Sequence, residues 1–373
     1  MPHVVIDARR IRDFGIGTYI RNLIHGLSRL ETKNQYTLII PSNDIAELRG
    51  LGSNFATAVY AHLDTEVMHN IAFPKFLRTL RANLYHIPLN SVAWWMPPPY
   101  VLTIHDMSTL LFPAHRSFRN RMHEQRYRRG ALRAACVIAV SNSTRRDVET
   151  VLHVPAERIR TIYSAPDPAF TASANGGDDN QTLERYSIHR PFILYAGTIR
   201  PQKNIPRLIE AFAVLRGELE NHPEFRELRL VIIGDELSKN PGVRRAVVSS
   251  RVENFVRFLG FVPMDTLRVF YRAAAAFAFP SLYEGFGLAP LEAMACGTPV
   301  VASNLPSLVE AVGDAAEFVS PDNVFDIARG IRDVLLDQDR RNTLSAAGLA
   351  QARHFHWDHT AQQVLDIYRE IKG

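Results

Sequence analysis

Residues 280–303 read PSLYEGFGLAPLEAMACGTPVVAS, and the fold can be read outward from them. Two glutamates, Glu284 and Glu292, bracket Gly285-Phe286-Gly287 ahead of an apolar run. Gly285 and Gly287 lack a Cβ, so the backbone there can turn sharply and lie close against a ligand. Pro290 suits a first helical turn, where a missing N–H costs nothing. The spacing predicts a helix whose opening N–H groups, at Gly287, Leu288 and Ala289, hold an anion at the positive end of the helix dipole. Glu292 is expected in that opening turn. A carboxylate there would repel phosphate, so its expected task is to accept hydrogen bonds from the vicinal hydroxyls of a ribose. Taken singly, either glutamate reads as a helix cap. The pair around Gly-Phe-Gly is far harder to explain that way.

Short apolar runs alternate with helical patterns along the rest of the chain, which predicts an α/β architecture of parallel sheets covered by helices. Strands are expected near residues 4–6, 37–40, 101–104 and 136–140, with Ser141 capping the next helix. A second series is expected near residues 192–195, 230–233, 256–259, 276–279 and 299–302. The 373 residues suit two cores, and the polar, aperiodic residues 171–182 read as a surface loop near the junction. The expected division is 1–168 and 169–354. Residues 355–372 are expected to form an amphipathic helix with Trp357, Val364, Leu365 and Tyr368 on its apolar side.

The composition is that of an ordinary soluble protein, with no apolar run long enough to span a bilayer. Val4-Val5-Ile6 reads as a strand rather than a signal peptide, and two cysteines are too few for a disulfide framework, so a cytoplasmic setting is expected. The net charge of +5 is uneven: residues 1–168 carry +8 and residues 169–373 carry −3. Much of the excess lies in residues 115–135, where Arg116, Arg119, Arg121, Arg126, Arg128, Arg129 and Arg133 face only Glu124. Such a helix suits an anionic membrane surface or a phosphate-bearing acceptor, and reads equally as a solvated face. No nucleic-acid partner is expected, because no recognised binding motif accompanies the charge.

Further candidates lie at strand ends. Gly15 and Gly17, in FGIGTY, follow the first strand; a dinucleotide fingerprint would need a third glycine where Ile20 stands, so an oxidoreductase is disfavoured. His105 and Asp106 close the apolar strand VLTIHD, where a histidine is more often structural than catalytic. Trp94 and Trp95 read as core or as a platform for an acceptor. Lys203 is conspicuous, since only 5 of 43 basic residues are lysine, and a cation at a loop edge suits a diphosphate. Asp337-Gln338-Asp339 matches a short acidic metal motif but lies at the polar end of a helix, and His354, His356 and His359 are loosely spaced without a supporting Cys or carboxylate pattern, so both read as solvated surface and no metal is expected.

These motifs together resemble the retaining glycosyltransferases of family four, whose hallmark is two glutamates separated by seven residues. The resemblance implies a GT-B fold, two Rossmann-like domains facing a cleft, with the last helix returning to the first domain. It implies transfer of a sugar from a nucleotide donor with retention, metal-free, with the leaving diphosphate held by Lys203, Arg200 and the N–H groups of Gly15 to Gly17 and Gly287 to Ala289. Thr198 stands where an arginine is usual in the family, and Arg200 is the expected substitute. His105, oriented by Asp106, and Glu284 would contact the donor sugar. Phe286, Gly287 and Leu288 would line the donor loop, and Glu292 would hold the ribose. GIGTY with Gly-Thr and Pro-x-Lys-Asn is most similar to bacterial cell-surface polysaccharide enzymes, including mannosyltransferases that use GDP-mannose; a UDP-sugar fits nearly as well. A nucleotide sugar is thus the expected co-substrate in place of a cofactor, and a glycan or polyprenyl-diphosphate-linked hydroxyl the acceptor, with the protein peripheral on the inner membrane face. A GT-B sugar-nucleotide epimerase and a non-catalytic glycan-binding scaffold are the alternatives.

Overall fold

The computed structural model describes residues 2–41, 48–62, 68–112, 118–173, 179–235, 237 and 240–372. Arg116 and part of the polar stretch 171–182 lie outside them, as do the side chains of residues 118–120. The chain divides into two compact units, Met1–Ala165 with His356–Gly373, and Pro166–Phe355. The first division thus falls three residues before the expected 168/169.

Among the described residues, unit 1 holds a seven-stranded parallel sheet. Its strands are β1 (His3–Asp7), β2 (Gln35–Ile40), β3 (Phe55–Val59), β4 (Leu84–Ile87), β5 (Tyr100–Ile104), β6 (Cys136–Ala139) and β7 (Ile159–Thr161), in the order β3-β2-β1-β4-β5-β6-β7. Unit 2 holds a six-stranded parallel sheet of β8 (Phe192–Ala196), β9 (Arg229–Ile233), β10 (Val256–Gly260), β11 (Ala276–Phe279), β12 (Val300–Ser303) and β13 (Ala316–Val319), in the order β10-β9-β8-β11-β12-β13. The central strands β5, β6, β8, β11 and β12 are buried along their whole length, which is why they read as continuous apolar runs. The nine expected strands are all present.

Four strands were not expected. β3 and β13 are sheet edges, the one alanine-rich and half open, the other carrying Glu317; β7 has three residues and β4 carries His86. Edge strands need not be apolar on both faces, and a polar residue in a four-residue run erases the pattern. The polar stretch 171–182 is also not loop throughout. A helix, Asp179–Arg185, overlaps it, and Asp179 accepts two hydrogen bonds from Arg272, at 3.0 and 2.5 Å.

Ser141 caps the helix Asn142–Leu152 by accepting from Thr144 N–H at 2.9 Å. The last helix, Trp357–Lys372, starts two residues later than expected, with Trp357, Val364, Leu365 and Tyr368 buried. It lies against the helix Ile16–Leu30 so closely that a Cβ on Gly26 would come within 2.7 Å of the Ala361 Cβ. Tyr368 also reaches the fully buried His86: its hydroxyl is 2.5 Å from Nδ1, while Nε2 lies 2.7 Å from Thr103 Oγ1. The hydroxyl of Thr103 is in turn 3.3 Å from that of Tyr19. The two hydroxyls can serve the ring in either tautomer, and it is burial that pushes the imidazole pKa down to about 3.

Gly26→Val should destabilise the protein by about 1–3 kcal/mol in urea unfolding, because the added carbons overlap Ala361. Gly217→Ala, on a helix with nothing within 4 Å of the added carbon, should leave stability equal or raise it by about 0.4–1 kcal/mol. Stability should also decrease as pH falls. Below the ordinary histidine value of about 6.5 the unfolded chain takes up a proton that folded His86 refuses down to about 3. The contribution is fully present above pH 6.5 and is lost progressively as pH falls toward the folded value. Nitrogen-15 NMR should show the His86 imidazole still neutral at pH 5, and a protonated His86 at that pH would refute the assignment.

Candidate donor site

In unit 2, β8 lies between β9 and β11, so the chain leaves β8 in one direction along the sheet and β11 in the other. The carboxyl ends of such a pair of strands form the crevice in which open α/β sheets bind ligands. The segments that follow these two strands carry the sequence candidates. After β8 the chain runs through Gly197-Thr198-Ile199-Arg200 into a single 3-10 turn, Pro201–Lys203, and then the helix Ile205–Glu218. After β11 it runs through Pro280 to Gly287 into the helix Leu288–Ala295.

Lys203 and Glu284 meet at this crevice. Nζ donates to both carboxylate oxygens, at 2.6 and 2.7 Å, with side chains 18% and 10% exposed. The ammonium also lies 5.4 Å from the centre of the Phe279 ring. Asn204 fixes this meeting. It takes a left-handed conformation, φ 60°, and its Nδ2 donates to the carbonyls of Pro280 at 2.9 Å and Pro321 at 2.7 Å. The N–H of Leu282 donates to the Gln202 carbonyl at 2.7 Å, so the two segments are stitched together on both sides of the ion pair.

Gly287 is the N-cap of the second helix, with φ 134°, a backbone state side chains rarely adopt. A Cβ there would also come within 2.9 Å of Leu308. No side chain caps this helix, so its opening N–H groups, which have no acceptor within the helix, sit at the positive end of the dipole. Glu292 is not in the opening turn as expected. It is the fifth residue of the helix, because the helix starts at Leu288, and it is buried with Oε2 accepting from the Tyr271 hydroxyl at 3.2 Å. Phe286 is buried against Phe355, ring centres 5.5 Å apart. Arg200 is exposed, with no ion-pair partner among the described residues. Asp235, which follows β9 and was not singled out in the sequence, accepts from the Ile199 N–H at 2.8 Å and shapes the same loop. Only its place after a strand-ending glycine could have flagged it.

Unit 1 corrects two expectations. The N–H groups of Ile16 and Gly17 do not await a phosphate, since they donate to the carbonyls of Phe14 at 2.7 Å and Asp13 at 2.9 Å. Consecutive turns from Ala8 onward consume them; Gly15, φ 65°, caps the helix, and a Cβ on Gly17 would meet the Ile11 carbonyl at 2.5 Å. Asp106 does not hydrogen-bond His105. Its Oδ1 accepts from the N–H and hydroxyl of Ser108, at 2.7 and 2.5 Å. The His105 ring is instead held by the Pro88 carbonyl, 3.1 Å from Nε2, and by Tyr19, whose ring meets it edge-on at 4.9 Å. The backbone N–H of His105 donates to Asn90 Oδ1 at 3.0 Å. A carbonyl can only accept, so Nε2 carries the proton, and burial pushes the pKa down to about 4. His105 is therefore neutral near pH 7 and offers Nδ1 as an acceptor.

Trp95 is 51% exposed, and Trp94 is half-buried with the Arg129 guanidinium 5.9 Å from its ring centre, so this pair is not core. Asp337 caps the helix Gln338–Ala352, accepting from Arg340 N–H at 2.9 Å. His354, His356 and His359 are exposed.

Residues 15–170 match the family described as Glycosyltransferase Family 4, and residues 184–351 match Glycosyl transferases group 1. The O-antigen chain mannosyltransferase B of Escherichia coli is 33% identical over 79% of this chain and 76% of its own length. The serotype-specific mannosyltransferase WbdA of the same species is 32% identical over 76% of this chain, which spans only 34% of that longer protein. Among solved structures, sucrose-phosphate synthase of Thermosynechococcus elongatus superposes with a TM-score of 0.79 at 19% identity, covering 100% of this chain and 99% of the other. HepE of Anabaena, solved with UDP-glucose, gives 0.77 at 19% identity, covering 99% and 100%. With two parallel sheets of the GT-B kind and matches to both halves, the chain belongs to the family-four glycosyltransferases.

Proposed function

We propose that this glycosyltransferase moves a hexose, mannose from GDP-mannose before any UDP-sugar, onto a glycan or polyprenyl-diphosphate-linked hydroxyl in cell-surface polysaccharide synthesis. The observation that carries the donor site is the encounter of Lys203 with Glu284 where β8 and β11 part, in the same unit as a helix whose N-terminus no side chain caps. The choice of mannose rests on the two mannosyltransferase relatives. The diphosphate is assigned to Lys203 and the N–H groups of Leu288 and Ala289, with Arg200 lending a second cation from its exposed position. Glu284 is assigned to the sugar hydroxyls and Glu292, steadied by Tyr271, to the ribose. His105 is assigned an accepting role toward a sugar hydroxyl, which its neutral ring suits.

Retention without an enzyme nucleophile would follow from attack on the face the diphosphate leaves. The C1–O bond to phosphate breaks, the acceptor oxygen bonds C1, and its proton passes to the departing phosphate. No metal is assigned a role, because fixed positive groups can meet the leaving charge.

No described helix is long and apolar enough to cross a membrane. A peripheral position on anionic lipid is proposed from the helix Phe118–Arg133, where Arg121, Arg128, Arg129 and Arg133 are exposed together with Met122. Exposed Trp95 adds an apolar edge.

Lys203→Ala should cut turnover by about two to three orders of magnitude while the fold survives; near-normal turnover would remove Lys203 from the mechanism. Glu292→Ala should weaken the nucleotide sugar about tenfold or more in calorimetry, as expected for a lost charged hydrogen bond, and unchanged affinity would refute the ribose role. A thermal-shift scan of GDP-mannose against UDP-glucose decides the base, because only a ligand of the folded state raises its melting point. Vesicles rich in phosphatidylglycerol should bind the protein at low salt and release it at high salt, and no binding at low salt would sink the peripheral placement.

A further inference from the structure

We infer that Glu284 makes the donor site discriminate between a nucleotide sugar and the bare nucleoside diphosphate that remains after transfer. The inference rests on the donor-site reading above and adds to it what the resting ion pair does. Lys203 is not a waiting cation. Both oxygens of Glu284 already hold it, at 2.6 and 2.7 Å, and the carboxylate is only 10% exposed. The meeting is built in, because Asn204 and the Leu282 N–H tie the two carrying segments together through the carbonyls of Pro280, Pro321 and Gln202.

A diphosphate that takes Lys203 therefore leaves a largely buried carboxylate without its donor. A nucleotide sugar makes good that loss, since its hydroxyls can donate to Glu284. A bare diphosphate brings no hydroxyl at that end. It also brings more negative charge, since its terminal phosphate is no longer esterified and loses a second proton near pH 6. Glu284 repels it at close range.

Transfer converts the favoured ligand into the disfavoured one. The sugar C1–O bond breaks with its electron pair on the phosphate, the acceptor proton follows and is lost to water, and the sugar hydroxyls depart. Glu284 then faces an added charge, and Lys203 has its old partner to return to. The same pair that admits the donor thus favours release of the product.

The test compares GDP with GDP-mannose, and UDP with UDP-glucose, by calorimetry on the wild type, Glu284→Gln and Glu284→Asp. Glutamine keeps the shape and removes the charge, so the diphosphate should bind about tenfold tighter or more. The nucleotide sugar should change less, and the preference should shrink. Aspartate keeps the charge, so the preference should persist. Unchanged or weaker diphosphate binding in Glu284→Gln, with the nucleotide sugar still bound, would overturn the inference and leave the donor site standing. A wild type that binds none of these sugars would overturn the donor-site reading and this inference with it. Should Glu284→Gln fail to fold, the aspartate variant decides, since loss of preference with the charge retained contradicts a charge-based device.

Discussion

An ion pair held largely out of water is the constraint on which unit 2 turns. Lys203 and Glu284 come from segments 81 residues apart in sequence, and desolvating two such charges is unfavourable unless geometry and further hydrogen bonds offset it. The offset is visible in how little either segment can move. A left-handed Asn204 bridges two carbonyls, a backbone bond joins Leu282 to Gln202, and the Phe279 ring lies beside the ammonium. A pair so expensive to assemble adds little net stability. Its value lies in what it holds ready at the ends of β8 and β11.

The placement follows from strand order rather than from local sequence. β8 is central, with β9 and β10 on one side and β11 to β13 on the other. Segments that leave β8 and β11 are driven apart along the sheet, and the gap between them is where side chains can converge without displacing core. Asp235, at the end of β9, shapes the loop after Gly197 from the neighbouring strand. Three consecutive strand ends thus contribute to one surface.

How much of this could be read beforehand depended on the physics behind each feature. Fully buried strands such as FILYA and AFAF announce themselves, since both faces must be apolar. LYHI does not, because its histidine is satisfied by Tyr368 and Thr103, partners 282 and 17 residues away that no local pattern contains. Lys203, Glu284 and Glu292 stood out by residue type and spacing, but their resting partners did not. Glu292 was misplaced because the helix opens at Leu288, directly after its Gly287 cap, so that Glu292 is already the fifth residue and just past the opening turn. The N–H groups after Gly15 were misread because a glycine loop looks the same whether its amides face a ligand or the preceding turn. Asp106 was paired with its sequence neighbour His105, yet the nearest competing donor, Ser108, lies two residues on.

Chain connectivity sets a further condition on unit 1. Unit 2 is one continuous segment, Pro166–Phe355, whereas unit 1 is assembled from both ends of the chain. Without Trp357–Lys372, the apolar face of Ile16–Leu30 would lose its cover at Gly26, and His86 would lose the Tyr368 hydroxyl at Nδ1. A buried polar group deprived of its partner is more harmful than a lost apolar contact of the same size. The Thr103 hydroxyl joins His86 to Tyr19, and Tyr19 in turn braces the His105 ring. The geometry of His105 therefore depends on a helix that starts 252 residues later in the chain, so a residue that looks like part of one strand end is in fact a product of the whole unit.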